Sequence, residues 1–207
     1  MTNRRYLSSL SALFMVASFS ALLGCTHVME YKPKYLGTTK VDKKQTLVGK
    51  CAIYTTSRDD SYIFQGPPGS VFSSAETLKI PLGLITKNAA IRVFDEVCSE
   101  VSTVDKLDGN NYDIAIYPRP IGFEYYFTER GFLRLVITPQ VVVHLQIEVF
   151  NSKQDVILSK AYKSEVVSGK NIYIPMTGWE KVNVAAHETI LELLGTAAKE
   201  IVSTPRE

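Results

Sequence analysis

Alternation of apolar and polar residues is clearest from Val141 to Phe150. Val141, Val143, Leu145, Ile147 and Val149 fall on one face; Val142, His144, Gln146, Glu148 and Phe150 fall on the other. A period of two is that of a β-strand. The polar run Asn151-Ser152-Lys153-Gln154-Asp155 reads as a turn, with 156–167 returning antiparallel. Leu47, Gly49, Cys51, Ile53 and Thr55 alternate with Val48, Ala52 and Tyr54, which predicts a first strand. Tyr112 to Tyr117 alternates likewise and is expected to stop at Pro118 and Pro120, because proline has no N–H to give a ladder. Helical spacing appears twice. Leu84, Ile91, Phe94, Cys98 and Val101 predict a helix over about 82–104. Val182, Ala186, Ile190, Leu193, Leu194, Ala197 and Ile201 predict another over about 179–202, ended by Pro205. The order β-α-β-β-β-α implies an α+β fold, a mostly antiparallel sheet with two helices on one face.

Two stretches lack a period. Residues 57–81 form a long connection with Tyr62, Phe64, Phe72 and the turn sequence Gln65-Gly66-Pro67-Pro68-Gly69. Connections of that length are functional or mobile. Residues 26–45 are polar and rich in lysine, with Pro33 and Gly37, and read as a flexible tether.

The N-terminus changes the picture. Arg4 and Arg5 precede an apolar run from Leu10 to Leu23, interrupted by Ser11, Ser18 and Ser20. This run is shorter than the ~20 apolar residues of a membrane-spanning helix. A basic start, a short apolar stretch and a small residue before the cut describe a secretory signal. The closing Leu22-Leu23-Gly24-Cys25 resembles the lipobox of bacterial lipoproteins. That resemblance implies cleavage before Cys25 and a diacylglycerol on its thiol. Each buried methylene of such chains contributes ~0.8 kcal/mol, so two or three chains hold a protein durably. Thr26 follows the cysteine, where that family places Asp to keep proteins in the inner membrane. The resemblance therefore implies the outer membrane, periplasmic face. The expected organisation is a signal peptide over 1–24, a lipidated tether over 25–45 and a single periplasmic α+β domain over 46–207.

Charge and cysteines follow from this division. Arg4 and Arg5 are the only charges before Cys25. From there on the chain carries 21 basic and 21 acidic side chains. The apparent basicity belongs to the signal, and nucleic acid is not an expected partner. With Cys25 given to lipid, Cys51 and Cys98 remain. They share the apolar face of the first strand and of the first helix. In an oxidising compartment they are expected to pair, the alternative being two buried thiols.

Catalytic chemistry is not marked. His27, His144 and His187 are far apart in sequence, and His187-Glu188 lacks the second histidine of a zinc helix because position 191 is leucine. No Gly-x-Ser-x-Gly elbow is present. Gly66-Pro67-Pro68-Gly69-Ser70 has no phosphate-loop lysine. Asp59-Asp60 and Asp95-Glu96 are merely adjacent. No catalytic residue, metal or cofactor is expected. The aromatic run Phe123, Tyr125, Tyr126, Phe127, Arg130 and Phe132 has the composition of an interface and is the expected partner-binding surface.

The tether, the first strand, a helix opened by Pro81-Leu82-Gly83, the strand and turn from Val141 to Asp155, and the last helix resemble a group of small outer-membrane lipoproteins. Their domains are similar to the N-terminal domain of the Tol system's propeller protein and to the periplasmic part of the curli secretion lipoprotein. The resemblance implies a non-enzymatic accessory or structural part of an envelope assembly or export machine, with a protein partner or as a homo-oligomer. The alternative is a module that binds a small molecule, lipid or polysaccharide.

Overall fold

The computed structural model describes residues 25–38, 49–69, 76–108, 111–130, 136–169 and 178–203. It opens with β1 (Thr26–Val28) and a single 3-10 turn (Pro33–Tyr35). β2 (Lys50–Tyr54), the short α1 (Ser57–Asp60), β3 (Phe64–Gly66) and β4 (Thr77–Ile80) follow. Next come α2 (Leu82–Phe94), β5 (Glu100–Val104) and the long pair β6 (Ile114–Arg130) and β7 (Val136–Asn151). β8 (Val156–Lys163), β9 (Val167–Ser168) and α3 (Gly178–Ser203) complete it.

These strands make two sheets. The large one runs β5-β2-β6-β7-β8, with β9 also pairing β7; the small one runs β1-β4-β3. β2 is parallel to both β5 and β6, whereas β6-β7, β7-β8 and β7-β9 are antiparallel. The expected mostly antiparallel sheet is thus corrected to a mixed one. The cause is α2, which carries the chain back across the sheet so that β5 lies alongside β2 in the same direction. α2 and α3 pack on each other and on one face of the large sheet, over Ile53, Ile116, Leu145 and Ile147.

Three sequence expectations need correction. The first helix ends at Phe94 rather than near 104, and residues 100–104 are β5. Val101, Thr103 and Val104 are β-branched and favour a strand. Cys98 and Val101 fell on the helical period by coincidence.

The second concerns Pro118 and Pro120, which lie inside β6. β2 pairs β6 only at Ile114–Ile116, so beyond that point one side of β6 needs no donor. β6 then continues to Arg130 paired with β7 alone, as the outer strand of a long antiparallel hairpin. A bulge between Pro120 and Gly122 resets its faces: Ile114 and Ile116 point to the core before it, Phe123 and Tyr125 after it.

The third is the connection 57–81, whose described part is built. Thr56 and Asp59 form a reciprocal capping box that starts α1. α2 crosses α1 at Gly83, where a Cβ would lie 1.8 Å from Asp59 O, so only glycine allows the approach. Phe72 lies outside the described residues.

Candidate functional site

The supposed tether is folded onto the body. Thr77 N donates to Cys25 O at 2.9 Å, and β1 begins at the next residue in parallel register with β4. The His27 ring stacks on Trp179 of α3 at 4.3 Å. Asn183 Nδ2 donates to Glu30 O at 2.9 Å, and Leu36 is buried in the core. Lys32 Nζ lies 2.9 Å from Glu180, and Tyr35 Oη donates to the same carboxylate. The Tyr35 and Lys32 donors hold Glu180 below the ordinary carboxylate range. Residues 25–38 therefore form a strap against α3. Lysine and tyrosine hide the signal in sequence, because each buries its stem and keeps its polar end wet. Residues 39–48 lie outside the described residues.

The three cysteines divide. Cys51 and Cys98 form a disulfide with Cα atoms 6.0 Å apart, joining β2 to the turn after α2. Cys25 is exposed and free at the head of the strap.

The aromatic run is corrected. Phe123 and Tyr125 are core residues, with Tyr125 1% exposed. Phe127 meets Trp179 edge-on at 5.0 Å, and Phe64 of β3 meets Phe123 at 4.9 Å. Tyr125 Oη donates to Gly66 O at 2.9 Å. These rings join the two sheets and α3 in one aromatic centre and are not open to a partner. Tyr126, on the opposite face, is half-buried and donates to Glu124. The Arg130 side chain and Phe132 lie outside the described residues. Composition pointed to an interface because the small sheet that covers these rings is invisible locally.

The other face of the large sheet carries polar and aromatic side chains in register. Tyr54 and Tyr117 pack at 4.6 Å between ring centres. Arg119 lies over the Tyr117 ring and binds Glu148 at 2.9 Å. Tyr117 Oη donates to Asp59 Oδ2 at 2.9 Å. Burial and the Asp59 carboxylate push Tyr117 up to about 12. Burial opposes ionisation of Asp59, but hydrogen bonds from Thr56 and Tyr117 outweigh it and lower that carboxyl. The arrangement is a charged lattice that locks α1 to β6. His144 sits beside Gly122, whose missing side chain leaves room for the ring. His187 is buried in α3, with Nδ1 2.8 Å from Asn183 O. Among the described residues, no group of three or more His, Cys, Asp or Glu is placed to hold a metal ion. No helix among them is long and apolar enough to cross a membrane.

One cleft of about 390 Å³ opens between Gly37 and Thr38 of the strap, Val167, and Thr189, Glu192 and Lys199 of α3.

No family model and no curated protein matches this chain. Solved structures resemble it to different degrees. Protein XCC0632 from Xanthomonas campestris, assigned to the family DUF330, is 11% identical over 84% of this chain and 91% of its own, with a TM-score of 0.51. A minor lipoprotein from Acinetobacter baumannii is 10% identical over 75% of this chain and 92% of its own, TM-score 0.36. PelC from Paraburkholderia phytofirmans, a dodecamer, is 12% identical over 77% and 93%, TM-score 0.38. The first likeness establishes the fold; the other two are more distant.

Proposed function

We propose that this chain is an outer-membrane lipoprotein, anchored through Cys25 with its body in the periplasm, and a non-enzymatic accessory or structural part of an envelope assembly or export machine. The division of the cysteines carries the reading. Two are bonded, as an oxidising compartment favours, and the third is exposed at the point where the signal would be cut. With Phe123 and Tyr125 in the core, partner contact falls to the sheet edges. β8 is one edge of the large sheet among the described strands, and it exposes Val156 and Ile157. Intact-mass analysis of protein extracted from membranes tests the anchor. The expected mass lacks residues 1–24 and carries diacylglycerol plus an acyl chain, and Cys25→Ser abolishes both changes. An unmodified Cys25 in the wild type sinks the reading.

The cleft beside α3 favours a second reading, a carrier for a small or lipidic ligand. Native mass spectrometry of the purified protein separates the two, since a carrier retains a co-purifying ligand.

A further inference from the structure

Register sets the two faces of the small sheet. Thr26 lies opposite Thr77, His27 opposite Leu78 and Val28 opposite Lys79. On the other side of β4, Gln65 lies opposite Lys79 and Phe64 opposite Ile80. His27, Leu78, Ile80 and Phe64 point inward, toward Trp179 and the core. Strand alternation therefore turns Thr26, Val28, Lys79 and Gln65 outward, and Ile63 continues that row two residues before Gln65. Val28 is 67% exposed and Ile63 54%. Tyr62 and Leu84 add exposed apolar surface at the same end, where Gly83 N donates to Tyr62 O.

Cys25 is tied to this sheet without slack, through the Thr77 N–Cys25 O bond. At ~3.3 Å per residue, Val28 lies only about 10 Å along β1 from the cysteine. A lipid on Cys25 thus brings the sheet to the bilayer in one of two ways. End-on, the rim of Glu76 and Pro67 meets the head groups, a carboxylate faces anionic lipid, and Val28 and Ile63 stay in water. Flat, Val28 and Ile63 leave water, and Lys79 reaches the phosphates from between them.

We propose that the outer face of the β1-β4-β3 sheet lies flat on the phospholipid surface and fixes the orientation of the whole body on the membrane. This rests on the anchor at Cys25. Lipidation and the disulfide leave no free thiol in the mature protein, so one added cysteine labels cleanly. Val28→Cys, Ile63→Cys and, on the β8 edge, Ile157→Cys are each purified lipidated, labelled with the environment-sensitive fluorophore NBD, and reconstituted in phosphatidylethanolamine/phosphatidylglycerol vesicles. Flotation and intact mass check the anchor in the same samples. The expected result is a blue shift at 28 and 63 with quenching by brominated lipid, and neither change at 157. Water-like emission at 28 and 63 on lipidated, floating protein overturns the orientation and leaves the anchor standing. A blue shift that brominated lipid fails to quench places protein on this face and also overturns it. A chain without lipid on Cys25 sinks anchor and orientation together.

Discussion

His187 has no exposed surface, and the Tyr31 and Tyr35 rings of the strap pack against it, each 5.6 Å away. Asn183 O accepts from Nδ1, so Nε2 carries the bare lone pair, buried without a partner. Burial pushes this imidazole down to about 4 from its ordinary 6.5. The unfolded chain therefore takes up a proton between those values that the folded protein refuses. The contribution is fully present above pH 6.5 and is lost progressively as pH falls toward 4, by about 3 kcal/mol at one residue. Denaturant melts across that window should show stability falling with acid, and His187→Phe should flatten the slope. An unchanged slope in the variant assigns the acid sensitivity to other groups. His187 shows how far residue type alone reaches. Its place on the helix was legible, whereas the strap that buries it was not.

Elements show the same division. The disulfide closes a sequence separation of 47 that contains α1, β3, β4 and α2. The chain-entropy model gives about 4 kcal/mol for a loop of that length, reduced by any structure retained in the unfolded chain. Cys51→Ala combined with Cys98→Ala should lower the melting temperature while keeping the native circular dichroism at 25 °C. No loss of melting temperature would mean that β2 and α2 hold their crossing without the bond. The periods that predicted β7 and α3 survive in the structure because each is long and has one face on the core. The helical period of α2 runs on through β5 in sequence, because five residues cannot outvote a neighbouring helical period. β1, β3 and β4 have three or four residues each and gain their pairing from distant strands.

Across the whole molecule, an aromatic centre of Phe64, Phe123, Tyr125, Phe127 and Trp179 holds both sheets against α3. This leaves edges and the strap side for contact with other bodies. Ile157 is 46% exposed on the edge strand β8. Ile157→Lys should leave the folding stability within ~0.5 kcal/mol of wild type in denaturant melts, as surface changes do. It should also reduce the complexes recovered by crosslinking in native membranes. Undiminished recovery would move the partner surface elsewhere. Sequence by itself determined the signal-like N-terminus, the Leu-Leu-Gly-Cys boundary, the α+β class, the long strand β7 and the apolar face of α3, because each is written in neighbouring residues. Tertiary structure alone decided that β2 and β6 run parallel, that the lysine-rich segment is a strap and that the aromatic run is core. Those outcomes depend on which surfaces meet across long separations in the chain, and local periodicity carries no record of the partner.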